Sequence, residues 1–273
     1  MLKQRIITAV ILLPIVIAAI LSLRNGHFIL LSFIPLVLIG GWEWTRLILL
    51  KDTPKFRYAY IIGLVLVSAV AYFYNSVLFP IVMVAALLWW MVALTLLVAY
   101  KRESTLFMHQ PWIFALAGFI VLVSAWWFLG KLHSFNPQWV LYLIMLTAIA
   151  DTGAYFTGKA FGKRKLAPEL SPGKTVEGGL GGLAAVFVWS LLGAWYFQVP
   201  GNYIIYFVLL SILTAVISIA GDLFISMMKR ESGFKDSGNI LPGHGGILDR
   251  VDSLLAALPV FTTGLVWAGL QGL

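Results

Sequence analysis

No cysteine occurs in the 273 residues, which excludes disulfides, thiolate nucleophiles and any zinc or iron–sulfur centre built on thiolates. Charge is scarce too: Asp, Glu, Lys and Arg make up 11% of the chain, against roughly 25% in soluble domains. A water-facing surface cannot be built from so little, and 61% of the residues are hydrophobic. No long polar segment interrupts the apolar runs, so a separate soluble domain has no room. His27, His109 and His133 are scattered without metal-ligand spacing. A Walker A loop is also missing, because no glycine precedes Gly173 at the required distance. The basic start at Lys3 and Arg5 lacks a small-x-small cleavage site after it, so segment 6–23 reads as a first anchor and not as a removable signal.

What the chain does have is a series of apolar segments near the roughly 20 residues that a bilayer-crossing helix needs. They fall at 6–23, 28–50, 57–74, 77–99, 111–130, 138–158, 178–197, 202–228 and 250–270. The expected fold is all-α, a polytopic integral membrane protein with about nine transmembrane helices. Residues 1–130 are expected to form an N-terminal transmembrane region and residues 131–273 a C-terminal one, with polar loops at 159–177 and 229–249. In the second segment Gly40, Gly41, Glu43 and Arg46 are expected to break the helix in two. Trp89, Trp90, Trp126 and Trp127 near segment ends resemble interfacial aromatics.

The formal charge of +8 does not point to nucleic acid, since the basic residues sit in short clusters between apolar runs. Lys and Arg instead set orientation. Only Arg24 and Lys131 fall on one side of the predicted helices, and the other 17 of 19 share the opposite side. Basic loops resist translocation, so the N-terminus is expected in the cytoplasm and the C-terminus outside.

The chemistry concentrates on the cytoplasmic side of the second half. Asp151 and Asp222 lie in or at the end of apolar segments, where an ionisable residue needs a partner or a task. Ser218, Asp222, Ser226 and Lys229 share one helical stripe, which fits either an internal Asp–Lys pair or a wall carrying a metal-binding carboxylate and a phosphate-binding amine. Beyond them Gly243, Gly245 and Gly246 let backbone N–H groups approach an anion, while Lys229, Arg230, Lys235 and Arg250 supply positive charge. His244 stands between those glycines, and Asp249 and Asp252 open the last segment, where N-capping is their plainer role. In the other loop, Ser171 followed by Pro172 reads as a helix start, with Lys174 and Thr175 available to phosphate. Gly178, Gly179, Gly181 and Gly182 read as a close-packing face.

The run from 226 to 252 resembles the signature of CDP-diacylglycerol synthases, the bacterial phosphatidate cytidylyltransferase family. Its elements are Ser226, Lys229-Arg230, Lys235-Asp236, Gly238, Pro242, His244-Gly245-Gly246, Asp249-Arg250 and Asp252. Asp151-Thr-Gly-Ala-Tyr155 and Ser171-Pro-Gly-Lys-Thr-Val-Glu177 also look like pieces of that family. The resemblance implies a multi-pass enzyme of the bacterial cytoplasmic membrane, making CDP-diacylglycerol and pyrophosphate from phosphatidic acid and CTP. It further implies Mg2+ on Asp222 and Asp249, a nearby K+, and a homodimer. With it, Asp222, Lys229, Arg230, Asp249 and Arg250 are expected to be catalytic. Asp151, Ser171, Lys174, Thr175, Ser226, Lys235, Asp236, His244, Gly245, Gly246 and Asp252 are expected to bind substrate. A CTP-dependent lipid kinase and an anionic-solute transporter are the competing readings; the transporter is disfavoured by the absence of repeated halves.

Overall fold

A computed structural model describes residues 2–48, 53–100, 110–241 and 243–273. Pro242 of the signature, His109, and the topological cations Lys51, Lys101 and Arg102 lie outside the described residues. Among the described residues the fold is all-helical apart from one small hairpin. Its helices are α1 Leu2–Ser22, α2 Asn25–Leu47, α3 Pro54–Phe73, α4 Asn75–Ala99, α5 Pro111–Phe135 and α6 Pro137–Phe161. After strands β1 Lys165–Ala167 and β2 Ser171–Thr175 come α7 Val176–Tyr196, α8 Ile204–Glu231 and α9 Leu248–Trp267. Among the described residues, seven helical stretches, lying in α2 to α8, are long and apolar enough to cross a membrane. The described apolar part of α1 is shorter, Val10–Ser22. Helix α9 carries Asp249, Arg250 and Asp252 near its start.

The expected break in the second segment does not occur. Helix α2 runs on through a π-helical stretch, Ile34–Ile39, which begins beside Pro35, a residue without an N–H for the regular ladder. In lipid an interrupted helix leaves backbone groups unpaired, so continuity wins over the glycines' weak propensity. Gly41 serves packing instead: a Cβ there would press on Leu64 and Ile61 of α3.

Helix α5 has a second π-helical stretch, Phe119–Val123. Just before it, Trp44 Nε1 donates to the Phe114 carbonyl at 2.9 Å and Tyr60 Oη to the Ala115 carbonyl at 2.7 Å. Gly118 makes room for both rings, since any Cβ there would meet them. Phe224 of α8 centres an aromatic cluster with Trp44, Trp89, Trp90 and Phe114. All four tryptophans expected at the interface are therefore buried inside the bundle, and Trp126 Nε1 donates to the Ile29 carbonyl. Helix α5 continues past Lys131 to Phe135, and the Lys131 ammonium lies over the Phe79 ring.

Helices α6 and α7 approach closely through small residues, as the glycine run leads one to expect. A Cβ on Gly182 would come within 2.6 Å of the Ala150 carbonyl, and one on Gly178 within 2.7 Å of that of Ala154. Gly181 faces Thr157, whereas Gly179 has open space.

Candidate active site

Two features of the loops correct the sequence reading. Ser171 does not cap a helix; it opens β2, whose register pairs Lys165 with Thr175 and Ala167 with Ser171. Thr175 is the N-cap of α7, its hydroxyl accepting from the Gly178 N–H at 3.1 Å. Buried Leu170 anchors the turn. Glu177 gathers the basic end of the other strand, accepting from the Lys163 and Arg164 N–H groups and from Arg164 Nε.

The capping roles given to Asp249 and Asp252 fall elsewhere as well. Glu43, on α2, accepts from the Ile247 N–H at 3.0 Å and the Leu248 N–H at 2.9 Å, the free donors at the start of α9. Its second oxygen also takes the Ser237 hydroxyl at 2.8 Å. Among the described residues, Asp252 accepts only from its neighbour, the Ser253 N–H.

Helix α8, the hairpin and α9 then bring four of the charged motif residues into two lysine–aspartate pairs. Lys174 Nζ lies 2.5 Å from Asp222 Oδ2, and Ser226 Oγ donates to Asp222 Oδ1 at 3.3 Å. Lys229 Nζ lies 2.7 Å from Asp249 Oδ1. The internal Asp222–Lys229 pair that the helical stripe allows is not formed. Asp249 Oδ2 accepts the N–H groups of Ser237 and Gly246, both at 2.9 Å. Ser218, on the same stripe, is buried and bonded to the Ala215 carbonyl, out of the site's chemistry. Asp151 and Asp252 stand near enough for their charges to act on Asp222 and Lys174.

The loop from 232 to 247 folds back on itself. Leu241 donates to the Gly245 carbonyl and His244 to that of Leu241, with Gly245 at φ +80°. Only glycine suits that position, because the conformation is left-handed and a Cβ would also press on Asp249 Oδ2. Arg250 Nε donates to the His244 carbonyl at 3.1 Å, while His244 Nδ1 is buried without a hydrogen-bond partner among the described residues. The side chains of Arg230, Lys235 and Asp236 are exposed and form no ion pair with a described residue. The structure therefore does not draw them into the two pairs.

A cavity of about 390 Å3 opens beside the first pair, lined by Asp151, Tyr155, Ser171, Lys174 and Thr175. Leu166 and Ile219 separate it from a second cavity of about 550 Å3, walled by Leu94, Leu97, Val216 and Leu223. The two cavities thus adjoin, and charged side chains line both, Asp151 and Lys174 in the first and Glu169 in the second.

Residues 3–267 match the model of the cytidylyltransferase family. The chain belongs to that family. It is similar along its whole length to the phosphatidate cytidylyltransferase of Pseudomonas aeruginosa, 43% identical over 98% of both chains. The phosphatidate cytidylyltransferase of Haemophilus influenzae is 37% identical over 96% of this chain and 98% of its own. That of Bacillus subtilis is 40% identical over 61% of this chain and 63% of its own. Family membership makes the chain a nucleotidyltransferase, and its apolar helices make it a multi-pass membrane protein.

For a divalent cation, the donor set offers carboxylate oxygens and no thiolate. Among the described residues no three His or acidic side chains converge into a cage. Magnesium is commonly held by one or two carboxylates together with substrate phosphates; Asp222 and Asp249 are carboxylates of that kind, each bonded here to a lysine ammonium.

Sequence reasoning missed Glu43 and Arg46, which appeared only as helix breakers. Arg46 Nη1 donates to the Ser237 carbonyl at 3.2 Å, and its guanidinium lies over Phe234. A carboxylate within an apolar run was the available signal, the same one that drew attention to Asp222.

Proposed function

We propose that the chain is a phosphatidate cytidylyltransferase, converting phosphatidic acid and CTP to CDP-diacylglycerol and pyrophosphate. The observation that carries this reading is similarity over the full length to relatives of that name. The motif residues support it by meeting in two lysine–aspartate pairs, the first of them beside a cavity lined by Asp151, Ser171 and Thr175.

The phosphate monoester of the lipid is largely a dianion at neutral pH, by analogy with phosphorylated side chains whose second pKa is about 6. No protein base is needed. One of its oxygens attacks the α-phosphorus of CTP in line; the bond to the bridging α–β oxygen breaks, and pyrophosphate leaves with that electron pair. No covalent enzyme intermediate arises. The remaining obstacle is repulsion between a dianion and a triphosphate. Lys174 and Lys229 are the cations nearest the carboxylates, and on substrate binding their ammonium groups turn to phosphate oxygens. Asp222 and Asp249 would hold magnesium, which supplies charge neutralisation for the triphosphate and the departing pyrophosphate. Arg250 and the His244 to Gly246 turn face the nucleotide, and Arg230 and Lys235 lie where headgroups gather.

In this reading α1 and α9 also cross, giving nine spans with the N-terminus in the cytoplasm and the site on the cytoplasmic face of the inner membrane. A homodimer and a potassium ion belong to it on the resemblance alone.

Label position tests the reaction. With phosphatidate as acceptor, CTP labelled at the α-phosphorus should yield labelled lipid, and label at the γ-phosphorus should leave in pyrophosphate. Lipid labelled from the γ position would mean a kinase, and no lipid labelling from either position would point to transport.

A further inference from the structure

The Glu43 side chain is 1% exposed and spends both oxygens on the loop that precedes α9. Its three donors are the Ser237 hydroxyl and the N–H groups of Ile247 and Leu248. Two glycines let the loop close on it: a Cβ at Gly238 or Gly246 would run into the Glu43 carboxylate. One turn along α2, Arg46 holds the Ser237 carbonyl. The two residues that present their N–H groups to Asp249 Oδ2 are Ser237 and Gly246. The first is thus bonded to Glu43, and the second lies between Glu43 and Asp249, immediately before the bonded Ile247.

From this arrangement we propose that Glu43 is a positioning residue for the reaction, clamping the 237–248 loop so that Asp249 is presented in one orientation. The inference rests on the reading above, in which Asp249 serves the metal and phosphates. Burying a carboxylate in a helix bundle is costly unless its lone pairs are met. An apolar side chain at position 43 would fill the same space without that cost, but it would leave the first N–H groups of α9 and the Ser237 hydroxyl without acceptors. Those groups would then seek other partners. The spacing of the Ser237 and Gly246 N–H groups would be lost with them, and Asp249 would turn.

The test uses the full chain purified in detergent, with Glu43→Gln, Ser237→Ala and Asp249→Asn compared with the parent. Glu43→Gln keeps the shape but replaces one acceptor oxygen by an amide that cannot receive any of the three donors. Manganese alone is titrated and followed by electron paramagnetic resonance, and the magnesium dependence of CDP-diacylglycerol formation is measured separately. Glu43→Gln should weaken manganese binding and raise the magnesium concentration for half-maximal rate by about tenfold or more, the scale of lost outer-shell partners. Ser237→Ala removes one of the three donors and should shift both quantities in the same direction by less. Should Glu43→Gln fail to fold, Ser237→Ala decides alone. Parental manganese binding and magnesium dependence in the folded variants, with Asp249→Asn impaired, would overturn the clamp while leaving Asp249's role intact. Parental behaviour of Asp249→Asn would instead sink the metal reading, and the clamp's purpose with it.

Discussion

Replacing Asp249 by Asn changes one atom and sets two groups of partners against each other. In the parent, Oδ1 meets the Lys229 ammonium at 2.7 Å and Oδ2 meets two N–H groups at 2.9 Å. An Asn has one acceptor oxygen. If that oxygen serves the Ser237 and Gly246 N–H groups, the amide NH2 faces an ammonium, donor against donor. Turned the other way, it faces the two N–H groups instead. The side chains of Lys229 and Asp249 are 11% and 5% exposed, so water gives little relief. Removing one partner of a buried pair costs about 3–5 kcal/mol. The lower end applies here, because the long lysine can shift its head. The strain falls on the loop between α8 and α9 rather than on the bundle, so local opening absorbs it. A cost of about 3 kcal/mol corresponds to roughly two decades in the opening equilibrium. Hydrogen exchange should therefore show protection at 237–248 falling about 100-fold, with lipid labelling from α-labelled CTP falling at least as far. The double variant Lys229→Met with Asp249→Asn separates structure from chemistry. It removes the unpaired charge, and exchange protection should largely return, but turnover should not. Parental turnover in the double variant would refute the catalytic role of the pair, and unchanged protection in the single variant would refute the energetic argument.

At the other pair, Lys174→Met should lower lipid labelling by about 100-fold, the scale for losing one charge-stabilising donor, while Lys174→Arg retains more; activity of Lys174→Met within threefold of the parent would be inconsistent with its role. Between α6 and α7, Gly182→Leu should cost about 1–3 kcal/mol by overpacking, seen as a lower melting temperature in detergent, whereas Gly179→Ala should leave melting unchanged; equal effects would contradict the packing geometry. For topology, single cysteines are clean in a chain that has none. An impermeant thiol reagent added to intact cells should label Asn202→Cys, in the exposed connection between α7 and α8, and miss Lys163→Cys. The reverse would invert the orientation.

The helices were legible because lipid imposes a simple rule: about 20 apolar residues with every backbone group paired inside the segment. The same rule explains where propensity misled, since Gly40 and Gly41 suggest a break that the bilayer makes expensive. The motif aspartates and lysines were legible as residue types. Their partners were not, because a helical stripe reports neighbours within one helix. Lys174 reaches Asp222 across 48 positions, and Lys229 reaches Asp249 across 20. Ser171 was read as a cap because Ser followed by Pro is a common helix start; pairing with the opposite strand moved that start to Thr175. Glu43 lies beyond local reasoning altogether, as its acceptor role exists only once residues about two hundred positions later have been folded against it.

That separation has a temporal meaning. Glu43 and the Leu248 N–H are 205 positions apart, and at ribosomal speeds of about 5–20 residues per second the carboxylate is made roughly 10–40 s before its last donor. Until Ser237 is made, 194 positions after it, it is a charge on a helix destined for the bundle, with none of its eventual donors yet made. Its place four residues from the end of α2 at Leu47 keeps water within reach of it while it waits. Arrival of α9 ends the wait and withdraws the charge from solvent. A nascent chain that stops before Ser237 keeps an unpaired carboxylate, and so differs chemically from a finished molecule at a point far from the missing residues.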